Sequence, residues 1–366
     1  MRIASYNVEN LFNRAKALDQ RTWAAGRPVL EAFQRLSELL EEPVYTDEVR
    51  HDILRELTRL GLRNGDSAKF ARLRQNRGRL VVRRRTGRVE VVAGGRADWI
   101  GWVELTTDRV DELALLNTAR VILDLRADIL GVVEAESRLA LKRFAEGGLN
   151  GMYEHFMVMD GNDERGIDCG IMSTVDFPPA GQRTHVDDLD EHGRIFSRDC
   201  PEYHFRLPGG QLLTVLVNHL KSKGYGGKAA SDARRRRQAL RVAQIYRAQP
   251  TPLVAVVGDL NDTPASDALA PLLRDTDLRD VSTHPGFDDA GRPGTYGYCT
   301  APNKLDYVLL SPTLYAATTG GGILRKGVWG GRRGTLWPIY ETMTKPVHAG
   351  SDHAAIYADV DLSRLP

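Results

Sequence analysis

LVAVVGDLND, residues 253–262, runs five apolar residues into Gly258, Asp259 and Asn261. A short, partly β-branched apolar run bounded by a glycine and polar residues reads as a buried strand that stops abruptly at a polar tip. Gly258 permits a sharp exit or a close backbone approach. Taken alone, the string is equally a strand followed by an Asx-turn. Its weight comes from company. SYNVEN at 5–10 ends an N-terminal strand in Asn7, DILGVVEAE at 128–136 ends in Glu134, LLTVLVNHLKSK at 212–223 ends in His219, LDYVLLS opens on Asp306, and SDH at 351–353 precedes a final apolar strand.

Between these strands the periodicity turns helical at 108–126 and near 229–248, which predicts an α/β arrangement of layered sheets covered by helices. A fold that gathers the strand ends assembles Asn7, Asp259, Asn261, Asp306, Asp352 and His353 into one acidic pocket. Carboxylates, an amide and a carboxylate-paired imidazole suit attack of water on a phosphate held by a hard cation. Asp259 can orient or deprotonate water, and Asn261 can donate its amide to a phosphate oxygen. Asp306 is favoured over the adjacent Asp352 as the group that orients His353, because neighbours along a strand point apart. Asn7 and Glu134 offer oxygen ligands of the kind Mg²⁺ takes, although Glu136 would share a face with Glu134 and competes for that role. His219 can donate to a phosphate, and Lys221 adds positive potential beside it.

These strand-end motifs, in this order, resemble the endonuclease/exonuclease/phosphatase superfamily of metal-dependent phosphoesterases. The residues that carry the resemblance are Asn7, Glu134, RGIDCGIM at 165–172, His219, Asp259 and Asn261, Asp306, and Asp352-His353. They span residues 1–13 and about 108–360. The resemblance implies a four-layer sandwich of two mixed β-sheets flanked by helices. It also implies an Mg²⁺ or Mn²⁺ site at Asn7 and Glu134 with Asp352 near the metal, water aligned by Asp259, a phosphate contact from Asn261, and a supporting Asp306–His353 pair. His219 takes the place of a second phosphate-contacting residue, and Asp168 lies in a motif with a less defined role. The implied activity is hydrolysis of a phosphodiester, with DNA or RNA as the favoured substrate. A phospholipid head group, inositol phosphate or other small diester is the alternative. A catalytically silent nucleic-acid-binding module on the same scaffold is a third reading.

Asn7 and Glu134 stand 127 positions apart, much further than is usual in that family, so residues 14–107 read as an insertion in the domain formed by 1–13 and 108–366. Apolar residues at helical spacing predict helices around 30–40 and 49–60, and 66–75 also reads as helical. LVVRRR and RVEVV flank Thr86-Gly87 as a two-residue hairpin turn. Residues 63–96 hold eleven Lys or Arg against Asp66 and Glu90, a local net of +9 in a chain whose total is +2. Such an island points to a polyanion, with Arg83, Arg84 and Arg85 as backbone contacts. Trp99 and Trp102 could offer stacking surfaces for unpaired bases, but packing of the insertion's own core is the favoured expectation.

Three scattered cysteines, Cys169, Cys200 and Cys299, read as reduced thiols. No apolar run approaches the ~20 residues of a membrane span, and MRIASYNV lacks the layout of a secretion signal, so a cytoplasmic protein with no membrane or obligate protein partner is expected. The glycines at 320–322 and the stretch 327–334 are expected in a surface loop.

Overall fold

The computed structural model describes residues 1–17, 23–163, 165–223 and 227–366, and at 13, 14, 23 and 24 the backbone alone. The chain divides into two compact units, one made of Met1–Phe12, Val110–Lys223 and Ala229–Pro366, the other built on Asn13–Arg109.

The larger unit is a sandwich of two mixed sheets. One has seven strands in the order 287–288, 318–324, 355–360, 2–7, 129–135, 168–173 and 155–159. The other has six, in the order 179–183, 202–206, 212–219, 253–259, 306–310 and 279–280. Ile3, Ile129, Val133 and Ile356 of the first sheet meet Val215, Val217, Val257 and Val308 of the second in one apolar core. The sheets approach so closely at Gly131 that a Cβ there would stand 2.7 Å from the Val257 side chain. Helices Glu112–Leu125 and Arg138–Gly148 cover the outer face of the first sheet, and Lys228–Arg247 covers that of the second. The four layers are those the sequence implied.

Within each sheet two parallel strands run side by side toward the same end: 2–7 beside 129–135, and 212–219 beside 253–259. Their C-terminal tips are Asn7, Glu134, His219 and Asp259. Strand 306–310 runs antiparallel to 253–259, so its first residue, Asp306, pairs with Asp259.

Glu134 reaches its position through a bulge. Asp168 pairs with Ala135 and Cys169 with Val133, which leaves Glu134 as the extra residue, at φ 67°. A bulge of this kind re-aims a side chain out of the regular alternation. Gly258 is held at φ 134°, and a Cβ there would stand 1.9 Å from the Asn218 carbonyl oxygen, so glycine is required.

In the smaller unit, helices Trp23–Leu40 and Asp47–Arg59 pack on a two-stranded ribbon of Ala71–Arg77 and Ile100–Leu105. Thr46 caps the second helix by accepting from the Val49 N–H. Four sequence expectations are corrected. Residues 71–77 are a strand, not the end of a helix, because Ala71 and Leu73 alternate inward opposite Val103. The Val81–Arg83/Val89–Val91 hairpin closes through a turn over Arg84–Gly87, whose Gly87 N–H donates to the Arg84 carbonyl, instead of a two-residue turn. Trp102 is 46% exposed, while Trp99 is in the core as expected. Gly320–Gly322 lie in a mostly buried strand, where a Cβ on Gly321 would stand 2.4 Å from the Tyr357 carbonyl oxygen. Among the described residues, no helix is long and apolar enough to cross a membrane.

Candidate active site

The tips of the two sheets bring Asn7, Glu134, His219, Asp259, Asn261, Asp306 and His353 into one neighbourhood, all buried except Glu134, which is mostly so. Asp259 is its centre. The Oδ1 atom accepts from the Asn261 backbone N–H (2.8 Å), and Oδ2 accepts from the side-chain amides of Asn261 (3.1 Å) and Asn7 (3.3 Å). The same Oδ2 faces His219 Nε2 at 3.7 Å and His353 Nε2 at 3.8 Å. Burial pushes the Asp259 carboxyl up to about 7, with Asp306 and Glu134 adding to the rise and His353 opposing it. A carboxyl so placed is poised to accept a proton near neutral pH.

The two histidines differ in charge. His353 donates from Nδ1 to Asp306 Oδ2 at 2.7 Å. Burial disfavours its charged form, yet Asp306 and Asp259 lift its pKa well above the ordinary value, so it stands as an imidazolium with Nε2–H aimed into the site. Its backbone N–H donates to Ser351 Oγ, which donates in turn to the Asn7 carbonyl (2.7 Å) and ties the two motifs together. His219 is driven the other way, well below the ordinary value, by burial and by the cations Arg198 and Arg165. One neutral and one charged imidazole thus flank the same carboxylate oxygen.

On the far side of His219, Glu134 Oε1 lies 3.8 Å from Nε2. Burial and the Asp352 charge raise the Glu134 pKa, against the pull of Arg165, His353 and Arg198. Two carboxylates with that mutual effect, and the Asn7 amide on the strand neighbouring that of Glu134, are oxygen donors of the kind a hard divalent cation takes. Asn7 Oδ1 accepts from the Glu9 N–H at 3.0 Å and keeps a second lone pair. Glu136 does not compete, since its Oε1 accepts from the Phe12 N–H at 3.0 Å. By proximity alone, Asp259, Asp306 and His353 are also a possible metal group, their ligand atoms lying within 4.8 Å of one another. Two members of that group, His353 Nδ1 and Asp306 Oδ2, are already joined to each other by the 2.7 Å hydrogen bond.

The remaining predicted residues lie as follows. Both N–H bonds of the Asn261 amide are engaged, one by Asp259 and one by the Leu220 carbonyl (3.2 Å), so Asn261 orients Asp259 instead of offering a donor to a phosphate. Asp352 is half-open, with Oδ1 3.9 Å from His353 Nε2. Asp168 accepts from the Gly161 N–H (2.8 Å); burial lifts it to about 7, and it has no hydrogen bond or ion pair to Asp259 or Glu134 among the described residues. Lys221 is nearly buried, and burial with Arg198, Arg165 and Arg234 nearby lowers it to about 7. In the smaller unit, Arg83 holds its own loop through the carbonyls of Leu62, Arg63 and Gly65 and through Asp66. That guanidinium is committed to structure, whereas Arg84 and Arg85 are exposed.

Sequence reading passed over four residues. Glu9 accepts from the Asp352 N–H (3.0 Å), and its place two residues after Asn7 was the available signal. Arg165 lies in the RGIDCGIM motif and ion-pairs with Asp163 (2.7 Å). Arg198, in no recognisable motif, binds Asp163 at 2.9 Å and donates to the Leu220 carbonyl. The Tyr296 ring lies 4.9 Å from that of His353. Behind the site, fully buried Arg235 joins Asp262 Oδ2 (3.0 Å) to the Lys221 carbonyl (2.7 Å) and braces the loop that carries Asn261.

A two-sheet sandwich with amide, carboxylate and imidazole groups at one end defines a phosphoesterase scaffold. The sequence matches the endonuclease/exonuclease/phosphatase family over residues 108–353, and the chain belongs to that family of hydrolytic phosphoesterases. The fold resembles an endonuclease/exonuclease/phosphatase family protein from Bacteroides thetaiotaomicron, with TM-score 0.51 and 18% identity over 68% of this chain and 89% of that one. It also resembles a mannosyl-6-phosphatase from the same organism (0.52, 17%, 68% and 91%) and the human Nocturnin catalytic domain with bound sulfate (0.51, 15%, 69% and 87%). No curated protein sequence matches the chain.

Proposed function

We propose that the protein is a divalent-metal-dependent phosphodiesterase acting on nucleic acid. The observation that carries the chemistry is Asp259 Oδ2, faced by two imidazole Nε2 atoms at 3.7 and 3.8 Å, with Glu134 beyond one of them. Asp259 accepts a proton from water as the water oxygen attacks phosphorus in line with the departing oxygen. Asn261 and Asn7 hold the carboxylate in place. The His353 imidazolium and neutral His219 donate Nε2–H bonds to the phosphate oxygens, where negative charge accumulates in the transition state. Asn7, Glu134 and Asp352 are the residues that would hold Mg²⁺ or Mn²⁺. Such an ion, when bound, offsets charge on the phosphate and the leaving oxygen.

Nucleic acid is favoured over a small ester by the basic island of residues 63–96, where Arg84 and Arg85 are exposed, Arg84 in an ion pair with Glu90 (3.3 Å). The mannosyl-6-phosphatase neighbour supports a second reading, a small sugar phosphate or diester, on the same machinery. Wild-type protein and His353→Ala are to be compared on labelled DNA and RNA and on bis(p-nitrophenyl) phosphate, with Mg²⁺ and with chelator. Cleavage of nucleic acid that needs both Mg²⁺ and His353 is expected. Equal rates in all arms sink the mechanism, and turnover of the small diester with no cleavage of either polymer sinks the nuclease reading. Raising salt separates the two substrates, because a polymer gripped through several phosphates weakens steeply.

A further inference from the structure

We infer that the outward face of the ribbon formed by Ala71–Arg77 and Ile100–Leu105 is a docking face for single-stranded nucleic acid, with Trp102 as its stacking platform. The inference rests on the nucleic-acid reading above and assigns that reading a surface of its own.

The ribbon has two unlike faces. Ala71, Leu73, Trp99 and Val103 point inward and are buried against the two helices of the smaller unit. Arg72, Arg74 and Arg77 point outward on one strand, directly opposite Glu104, Trp102 and Ile100 on the other. Strict alternation would turn Arg77 inward. The irregularity between Gln75 and Arg77 restores it to the outward row, which is the use a bulge commonly serves. Glu104 is the one carboxylate in the row. It accepts from Arg74 at 2.9 Å and lies 3.9 Å from Arg72, so three guanidiniums share a single negative charge.

Trp102 is 46% exposed and Ile100 53%. The Trp102 indole N–H donates to Glu104 Oε2 at 3.2 Å, which orients the ring while leaving it open to solvent. Trp102 and Ile100, alternate residues on one face of the strand, expose adjacent apolar surface, and both stand opposite arginines. Alternate residues of a strand are about 6.7 Å apart, comparable to the step between successive phosphates of an extended single strand. Cations at the phosphate repeat beside a free aromatic ring are the combination that binds unpaired bases without reading their sequence. In a duplex the bases are already stacked on one another, so Trp102 has nothing to add there.

The test is binding by the full chain in chelator, so that nothing is cut. Fluorescence anisotropy with labelled oligothymidine and with a duplex control is measured for wild type, Trp102→Ala, Trp102→Phe, and the triple variant Arg72→Gln/Arg74→Gln/Arg77→Gln. Trp102→Ala should weaken single-strand binding roughly ten-fold, with duplex binding unchanged and Trp102→Phe largely retaining affinity. The triple variant should reduce the slope of log affinity against log salt by about 2, near 0.7 for each lost phosphate contact. Equal single-strand affinity for wild type and Trp102→Ala, or an unchanged salt slope in the triple variant, overturns the inference. So does a dimer in sedimentation that Trp102→Ala dissolves while oligonucleotide binding is absent, since a second copy would then own the face. Failure of the parent reading looks different: a Trp102-dependent grip in chelator, with no cleavage of the same oligonucleotides once Mg²⁺ is supplied, refutes the nuclease and leaves the docking face standing.

Discussion

The two units differ in which residues take left-handed backbone. Among the described residues, all eight non-glycine residues with left-handed φ lie in the catalytic unit, Glu9, Glu134 and Asn261 at the site itself. In the smaller unit the left-handed positions are glycines: Gly61, Gly78 and Gly87. A glycine adopts this conformation without the steric cost that a side chain brings. Beside nine left-handed glycines, the larger unit thus carries side chains in this conformation, three of them at the site, and the smaller unit shows none among the described residues. Strain accumulates where a constellation must be held in one geometry. The docking face proposed for the smaller unit would have no such need.

The sharpest contrast concerns charge. In the catalytic unit, Asp163 is held between Arg165 and nearly buried Arg198. Burial alone would raise its pKa, but the two guanidiniums keep it well below the usual carboxylate range. Because the folded pKa is depressed, the ionised carboxylate contributes stability above the unfolded pKa of ~3.9, and that contribution is lost as pH falls through the folded value. Asp163→Asn leaves Arg198 buried without its counter-charge and should destabilise by about 3–5 kcal/mol in denaturant titrations at pH 7. The gap to wild type should persist at pH 5 and narrow only in strong acid. A gap already closed at pH 5 contradicts the assignment. The counterpart in the smaller unit, Asp66 paired with Arg83, is half-exposed, so Asp66→Asn should cost no more than about 1 kcal/mol.

The legible parts of the sequence were those where one physical rule acts alone. Buried parallel strands such as 253–259 announce themselves by apolar runs, and their polar tips stand out because a polar residue after five buried ones needs a partner. Glu134 was chosen through the family resemblance, while the residues alone left Glu136 as a competitor. The bulge that turns Glu134 out of the alternation depends on the pairing with Asp168 and Cys169 and leaves no local mark. Arg198 and Arg235 act through residues far along the chain, beyond the reach of a periodicity argument. The strand at 71–77 was misread because its outward arginines and inward Ala71 and Leu73 also fit a short helix. The same pairing explains Trp102: DWIGW places its two tryptophans on opposite faces of a strand, a parity hidden while the strand itself was unassigned.

Gly101, between those tryptophans, tests whether the smaller unit stands by itself. A Cβ at this position would stand 2.0 Å from the Arg74 carbonyl oxygen and 2.4 Å from the Trp99 ring. Gly101→Ala should cost about 1–3 kcal/mol, the usual range for overpacking. Hydrogen exchange should show the loss confined to residues 23–109, with the strands of the catalytic sandwich as protected as before. Equal loss of protection in both units would mean that they unfold as one and that the division is geometric only.

The smallest predicted effect bears directly on strain. Glu134→Ala and Glu134→Gly both remove a buried carboxylate that, without a cation, is disfavoured by burial and by Asp352. Only the glycine variant also relieves the left-handed backbone at φ 67°. In chelator, Glu134→Gly should therefore be more stable than Glu134→Ala by about 1 kcal/mol, while both lose metal-dependent hydrolysis. The reciprocal change is Gly87→Ala in the hairpin, where φ is 83° and a Cβ would meet nothing within 4 Å. It should lose a similar ~1 kcal/mol from conformation alone. If Glu134→Gly is no more stable than Glu134→Ala while Gly87→Ala shows its loss, the bulge at Glu134 is not strained. The difference between the units would then lie in charge alone.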